Sequence, residues 1–595
     1  MPSSLKDLVD EWLLLDPNSE TRREIQLLWD RQDIDELEKR FRTRIQFGTA
    51  GLRGRMEAGW SRMNDLIIGQ TSQGLSDYVL QHVEGARTRG LVVGYDHRYH
   101  SEHWANITAS IFVAKGIKVY LLRGFNHTPL VPFGVKKLNA ACGVMITASH
   151  NPKQDNGYKV YWENAVQIIS PHDRGISLAI EANSRKTLSI QSVPSSELLI
   201  DLTEYLRKEY FGYLTSFMTI REVMPLRKPK FVNTSMHGVS DAFVAKAFAA
   251  FRFPPYIPVK EQQHPDPEFP TVTFPNPEEQ GALNLALETA NKKGADYVLA
   301  QDPDADRFTA AERRSNGEWI LFTGDQLGVI FASSVLEEYK NSGKPLLELA
   351  MVASTVSSRM LEAMAEKEGF KFVECLTGFK YIGNTALRLE EEGFFVPFGY
   401  EEAIGFMFGQ EVRDKDGIAA TVHFVQLATS LYAQGRTVND HLQNLYQRYG
   451  YFKTRNSYFI CNDPGITDKI FSHIRNYEAP LSSETSRPAY PKSLAGLDIY
   501  RIIDLTTGYD SGNPPSYSPV LPISSGQMIQ IRAGNKSQGI SISLTLRTSG
   551  TEPKIKFYLE GSGRETELVE KSLAEAVSDL SRNWVQVDRY NLAVA

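Results

Sequence analysis

At 595 residues the chain is too long for a single hydrophobic core and implies roughly three to five domains. It is 42% apolar and 23% charged with a net charge of −6, a near-balance that argues against a nucleic-acid partner, whose phosphates call for a basic surplus. Its cysteines, Cys142, Cys375 and Cys461, lie far apart, so neither a disulfide framework nor a cysteine zinc site follows, and a reducing compartment fits.

The opening MPSSLKDLVDEWLLLDPNSE has acidic residues inside its apolar stretch and no basic leader region. Leu5, Leu8, Val9 and Trp12 are therefore expected on one face of an amphipathic helix rather than in a signal peptide. No run reaches the ~18 apolar residues of a membrane span, so a cytoplasmic chain without a membrane partner is expected. FGTAGLRGR (47–55) then offers Arg53 in a Gly-rich loop, and GYDHRYHS (94–101) offers Arg98; either reads equally as an ordinary salt-bridge residue.

From about residue 90 strands and helices alternate. LVVGYD reads as a buried strand, WANITASIFVAKG as a helix, KVYLL as a strand, VPFGVKKLN as a helix and CGVMITAS as a strand. The rhythm restarts after MPLRKPK (224–230), with DYVLAQDPDADR (296–307) as a strand running into an acidic loop. It restarts again near 346 with LELAMVAS, a helix through Met360 and Met364, FKFVECLTGFK, a helix through Leu387, and FFVPFGYEEAIG. Such alternation implies parallel α/β architecture with ligands at the C-terminal ends of strands. Beyond about 450 the texture changes: Pro, Ser and Gly cluster at 482–526 as surface connections. GISISLTLRTSGTEPKIKFYLEG reads as two strands around a polar loop, and Val569, Leu573, Ala576 and Leu580 mark a last helix. Four domains are expected: 1–222, 223–335 and 336–450 as α/β blocks, and 451–595 as a smaller α+β domain.

Ser149 and His150 stand side by side in GVMITASHNP. Neighbouring side chains on a strand face opposite ways, and the window T-A-S-H-N lacks the G-x-S-x-G of a hydrolase elbow, so a hydrolase is not expected. In QDPDADRF, Asp302, Asp304 and Asp306 repel one another unless a cation neutralises them, and hard oxygen ligands suit Mg²⁺ or Ca²⁺; a solvated acidic turn is the alternative. An EF-hand fails because Arg307 and Arg313 stand where Gly and Glu are needed. Arg547, Thr548, Ser549, Gly550, Thr551 and Lys554 bring a guanidinium, hydroxyls, an ammonium and a Gly turn together, a set that suits a phosphate dianion or forms an unliganded hairpin loop. The paired glutamates of PFGYEEAIGF (397–406) suit sugar hydroxyls, acid–base work or a surface turn. A serine near a metal loop and a phosphate cradle suggests a covalent phosphoryl carrier.

Four loops in this order, TASHNP, DPDADR, GYEEAIG and RTSGTEPKIK, resemble the α-D-phosphohexomutase superfamily over about residues 40–560. FGYEEAIG, FGTAGLRG, the leading helical segment and the length resemble its phosphopentomutase branch, also called second-type phosphoglucomutase. The resemblance implies a four-domain, heart-shaped fold of three similar mixed α/β domains plus a C-terminal α+β domain. It implies Ser149 as the phosphorylated serine, and Mg²⁺ on Asp302, Asp304, Asp306 and a phosphoserine oxygen. Arg53 and Lys159 would lie beside the transferring phosphoryl group, with Lys159 as general acid/base and His150 as a local partner. Arg307, Gly378, Lys380, Glu401 and Lys415 would meet the sugar, and the 547–554 loop its distal phosphate. A sugar bisphosphate, glucose 1,6-bisphosphate or ribose 1,5-bisphosphate, would prime a monomer acting on small sugar phosphates.

Hexose-preferring relatives commonly carry a serine where Ala403 stands, which turns the expectation toward ribose and deoxyribose phosphates, with slower work on glucose phosphate. The alternatives are a glucose-1,6-bisphosphate synthase, or a mutase preferring glucose phosphates. A catalytically dead sugar-phosphate sensor is not expected, because the serine and the aspartates are all present.

Overall fold

The structure is a computed structural model that describes residues 4–49, 51–185, 196–217, 228–478, 489–535, 537–549 and 553–594. Of the basic stretch 224–230, residues 224–227 lie outside the described residues. The chain divides into two compact units, 1–352 with 378–439, and 353–377 with 440–595.

The first unit opens with helices Leu5–Leu15, Ser19–Asp30 and Ile34–Phe41. Ser4 caps the first of these with a reciprocal bond to Asp7, satisfying amides that would otherwise lack partners. Val9 and Trp12 are buried as the spacing predicts, and Trp12 meets the rings of Phe41 and Trp60 edge-on.

A six-stranded sheet follows, in the order Leu52–Arg55, Asp155–Tyr161, Cys142–Ile146, Leu91–Tyr95, Val119–Leu121, Leu199–Ile200. Leu91–Tyr95 and Cys142–Ile146 are buried on both faces and run parallel, which is why each reads as an unbroken apolar run. Cys142–Ile146 then turns back antiparallel into Asp155–Tyr161. The register sets Met145 opposite Lys159, and Arg53 opposite Gly157. Gly157 is required there, since a Cβ would lie 2.6 Å from the Thr147 carbonyl oxygen and 2.9 Å from that of Leu52.

The same device recurs twice. In a five-stranded sheet Tyr297–Gln301 lies parallel to Phe231–Thr234 and hairpins into Phe308–Arg313. Further on, Phe395–Glu401 hairpins into Gly405–Phe408. Each α/β block thus ends a buried strand in a short polar loop and returns antiparallel. These loops carry Ser149, the three aspartates and the paired glutamates, as the repeated rhythm of the sequence predicts.

The helix Gly417–Ala433 starts against the acidic loop. Its N-cap Asp416 accepts from the amides of Ile418 and Ala419 and from the Tyr210 hydroxyl.

The second unit is built on a nine-stranded sheet whose long members are Leu497–Asp504, Met528–Asn535, Ile540–Thr548 and Lys554–Gly563. Helix Thr566–Asp579 buries Val569, Leu573 and Ala576 against it, as predicted. Residues 482–526 are not all surface connection. Residues 482–488 lie outside the described residues, but Leu497–Asp504 pairs along Met528–Asn535, and Leu497, Ile502 and Ile503 are buried. A register shift between Ile499 and Arg501 breaks the alternation of apolar positions, so no period-two signal survives in the sequence. Residues 514–518 are exposed, in keeping with a surface loop. With three α/β blocks and this α+β sheet, the chain has four domains. Among the described residues no helix is long and apolar enough to cross a membrane.

A Cβ on Gly417 would lie 2.4 Å from the Arg307 carbonyl oxygen and 2.8 Å from that of Ala305. Gly417→Ala is expected to cost about 1–3 kcal/mol by overpacking, read from a lower denaturant midpoint at unchanged slope.

Candidate functional site

The strand Cys142–Ile146 stops before Ser149, which sits in the left-handed region at φ +52°. Its amide donates to Thr147 Oγ1 at 2.9 Å, and its hydroxyl donates to Asp302 Oδ2 at 2.8 Å. Ser149 is only 2% exposed. Because it has left the strand, alternation does not separate it from His150: the imidazole Nδ1 lies 3.4 Å from Ser149 Oγ. That corrects the expectation that the two side chains face opposite ways. Burial pulls the His150 pKa well below its usual range, with Arg307 and Arg53 adding to the effect, so the ring is neutral at pH 7. Arg53 Nη1 donates to Asn151 Oδ1 at 3.1 Å, which brings it to the same turn.

Asp302, Asp304 and Asp306 are fully buried, and their ligand atoms lie within 4.8 Å of one another. Three anions at that spacing are tolerable only with close compensation. Lys159 Nζ donates to Asp304 Oδ2 at 2.7 Å and Asp306 Oδ2 at 2.9 Å. Lys415 Nζ lies 3.3 Å from Asp306 Oδ2. The Arg307 amide donates to Asp302 Oδ1 at 3.0 Å, and the Thr128 hydroxyl donates to Asp304 Oδ2.

Asp302 and Asp304 consequently titrate apart. Burial, then Asp304 and Asp306, push Asp302 well above the carboxylate range. Burial also acts on Asp304, but Lys159 and Thr128 outweigh it and hold that group far below the range. For Lys159, burial opposes the charge and the two aspartates overcome it, so the ammonium persists.

Two oxygens in this cluster, Asp304 Oδ1 and Asp306 Oδ1, are buried without a hydrogen-bond partner. Orphaned carboxylate oxygens beside a third carboxylate and a hydroxyl form a hard donor set suited to a divalent cation.

The glutamate loop joins this cluster through backbone. Arg307 Nη1 donates to the Ala403 carbonyl at 2.7 Å, and Arg307 bridges Gly405. Glu401 is 6% exposed; burial raises its pKa despite Lys415 and Arg307. Lys415 passes over Gly405, where a Cβ would lie 2.6 Å from its Cδ, and stands 5.2 Å over the Phe379 ring. Gly378, at φ +112°, precedes helix Phe379–Glu391, and Lys380 on its first turn donates to Thr49 Oγ1. Burial lowers the Lys380 pKa. Ser149, Lys159, the three aspartates, Arg307, Glu401 and Lys415 therefore form one connected cluster within the first unit. Arg53 and His150 adjoin its serine.

Two supporting residues went unread in the sequence. Thr128 lies in an unremarkable NHTP turn that carried no signal. Asp414 precedes Lys415, and its carboxylate accepts from Tyr161 and Gln167 at 2.8 Å each and lies 3.3 Å from Lys415 Nζ. The acidic pair flanking Lys415 in RDKDG was the available sign.

In the second unit Arg547 and Thr548 end the strand Ile540–Thr548, and Lys554 begins the return strand. Arg547 Nη2 donates to the Tyr558 hydroxyl at 2.9 Å, and Lys554 Nζ lies 4.2 Å over the Tyr458 ring. The Ser549 amide donates to the Lys554 carbonyl at 2.9 Å. Gly550 and Thr551 lie outside the described residues.

Comparison with known proteins gives three matching family models: phosphoglucomutase/phosphomannomutase α/β/α domain I over residues 44–187, domain II over 208–317 and domain III over 323–449. The chain is 43% identical to the phosphoribomutase of Saccharomyces cerevisiae, with 100% of this chain and 98% of the relative covered. It is 44% identical to the phosphopentomutase of Homo sapiens (98% and 96% covered) and 41% to the glucose 1,6-bisphosphate synthase of Homo sapiens (99% and 95%). Among solved structures, a putative phosphomannomutase from Thermus thermophilus superposes with TM-score 0.64 at 20% identity, over 91% of this chain and 99% of that one.

The cluster is expected to bind one divalent cation per chain, measured by calorimetric titration with Mg²⁺. Asp306→Asn should weaken binding by more than about 100-fold, and Thr128→Val, which removes one of the two donors to Asp304 Oδ2, by about 10-fold.

Proposed function

The chain belongs to the α-D-phosphohexomutase superfamily, on its phosphopentomutase branch, and from that premise we propose that it moves a phosphoryl group between C1 and C5 of ribose and deoxyribose phosphates, with slower C1–C6 exchange on glucose phosphate. The observation that carries this is the buried Ser149 hydroxyl, bonded to Asp302 at 2.8 Å beside two carboxylate oxygens that accept no hydrogen bond and a charged lysine.

In this reading a sugar bisphosphate (glucose 1,6-bisphosphate or ribose 1,5-bisphosphate) primes Ser149 with a phosphoryl group. The Ser149 Oγ–P bond then breaks as a bond forms to the free hydroxyl of a sugar monophosphate. Lys159, kept charged by Asp304 and Asp306, gives a proton to the departing Ser149 oxygen and regains one from the attacking hydroxyl. The sugar bisphosphate reorients, and Ser149 takes back the other phosphoryl group. Mg²⁺ on Asp302, Asp304, Asp306 and an oxygen of the phosphorylated serine would supply Lewis-acid compensation for the phosphoryl oxygens.

Arg53 adds positive charge at the serine turn, where it bonds Asn151. Glu401 and Lys415, with Arg307, Gly378 and Lys380, are assigned to the sugar, and Arg547, Thr548, Ser549, Gly550, Thr551 and Lys554 to the phosphate that does not react. Partners are small sugar phosphates, and the enzyme is proposed to act as a cytoplasmic monomer. A second reading, glucose-1,6-bisphosphate synthase, is favoured by the 41% identity to a protein of that name and differs in phosphoryl donor.

Ser149→Ala is expected to lower mutase turnover by at least about 10⁴-fold, and kcat/KM should favour ribose 1-phosphate over glucose 1-phosphate by about 10-fold or more. Full turnover by the variant would remove the serine scheme. A preference for glucose would overturn the substrate, and a stoichiometric need for 1,3-bisphosphoglycerate would favour the synthase.

A further inference from the structure

Arg98 is a buried cation whose planar fork is spent almost wholly on main-chain carbonyls of one loop. Nη2 donates to the carbonyl oxygens of Ser149 at 2.7 Å and Asn151 at 2.6 Å. Nη1 donates to those of Pro152 at 2.8 Å and Asp155 at 3.2 Å. The side chain is 1% exposed, and the guanidinium lies 5.0 Å over the Phe269 ring, from the second α/β block.

Its nearest carboxylate, Asp96, is 3.7 Å away, and neither Arg98 Nε nor Asp96 Oδ2 has a hydrogen-bond partner. Asp96 is committed elsewhere: its Oδ1 accepts from the Arg98 amide and the Ser101 hydroxyl. An ordinary buried salt bridge would place the fork on the carboxylate. Here the fork faces the loop that holds Ser149.

From this geometry we infer that Arg98 is the positioning residue of the phosphoserine loop, holding Ser149 in its left-handed turn and orienting the loop's amides for the transferred phosphoryl group. Four carbonyls drawn to one rigid plane leave the loop little freedom, which maintains φ +52° at a non-glycine residue. A trans peptide sets N–H opposite C=O, so turning the Ser149 carbonyl to Arg98 turns the His150 amide N–H to the other face of the loop. The guanidinium also leaves positive charge under a serine that is to carry a phosphate dianion, within electrostatic reach of Asp304 and Arg53. Arg98 touches no reacting atom; it acts through the loop.

This role presupposes the mutase activity proposed above. The test compares the full-length protein with Arg98→Lys and Arg98→Met in kcat and KM for ribose 1-phosphate, with a bisphosphate primer and Mg²⁺, and in phosphoryl-Ser149 formed after priming. Arg98→Met is expected to lose about 100-fold or more in kcat, as for a nucleophile displaced by an ångström, with KM within about threefold of wild type. Arg98→Lys, which keeps the charge but not the fork, should recover part of that loss. Val79→Ala, in the buried face of helix Asp65–His82, serves as a control that lowers the melting temperature while leaving kcat unchanged.

An Arg98→Met protein that melts cooperatively and keeps wild-type kcat overturns the role. Should Arg98→Met fail to fold, Arg98→Lys at full kcat overturns it, and a kcat-only loss in Arg98→Lys supports it. A wild type that turns over beside an undiminished variant removes the Arg98 role alone. A wild type that never carries phosphate on Ser149 removes the mutase reading and this role with it.

Discussion

Three carboxylates buried within 4.8 Å of one another are the constraint around which the catalytic blocks are arranged. Each anion taken out of water costs several kcal/mol unless it is met by charge or hydrogen bonds. Compensation comes from beyond the acidic loop itself: Thr128, Ser149 and Lys159 belong to the first α/β block, and Lys415 follows the third hairpin. The site is therefore built from residues of all three α/β blocks. Even so, Asp304 Oδ1 and Asp306 Oδ1 accept no hydrogen bond, so the cluster keeps hard oxygen donors suited to a divalent cation.

Repetition of one device supplies the parts. A buried strand, a short polar loop and an antiparallel return occur in each α/β block, and the loops carry the serine, the aspartates and the glutamates. Backbone carbonyls knit the loops together: Arg98 holds the serine loop by four, and Arg307 holds the glutamate loop through that of Ala403. Position 403 thus serves the fold through its main chain, a role that places no demand on its side chain.

Much of this was legible in the sequence, for physical reasons. Strands buried on both faces, such as Leu91–Tyr95 and Cys142–Ile146, appear as unbroken apolar runs, and the loops that end them concentrate polar residues. What escaped depends on distance or on irregular backbone. Leu497–Asp504 was hidden because its register shift scrambles the alternation of apolar positions. Thr128 lies 176 residues from the aspartate it bonds, in a turn with no distinguishing chemistry. His150 meets Ser149 because the strand ends at Ile146, earlier than the run CGVMITAS suggests. Arg98 looked like an ordinary salt-bridge residue, since four carbonyl partners leave no trace in side-chain composition.

The central claim is that Ser149 carries the phosphoryl group from one sugar oxygen to another. The most direct test loads the protein with labelled phosphoryl from a sugar bisphosphate, maps the label by peptide analysis, and follows one turnover after mixing with unlabelled ribose 1-phosphate. The account predicts label on Ser149 that passes into ribose bisphosphate at least as fast as kcat. Label on another residue, or label leaving Ser149 only as inorganic phosphate, would contradict it.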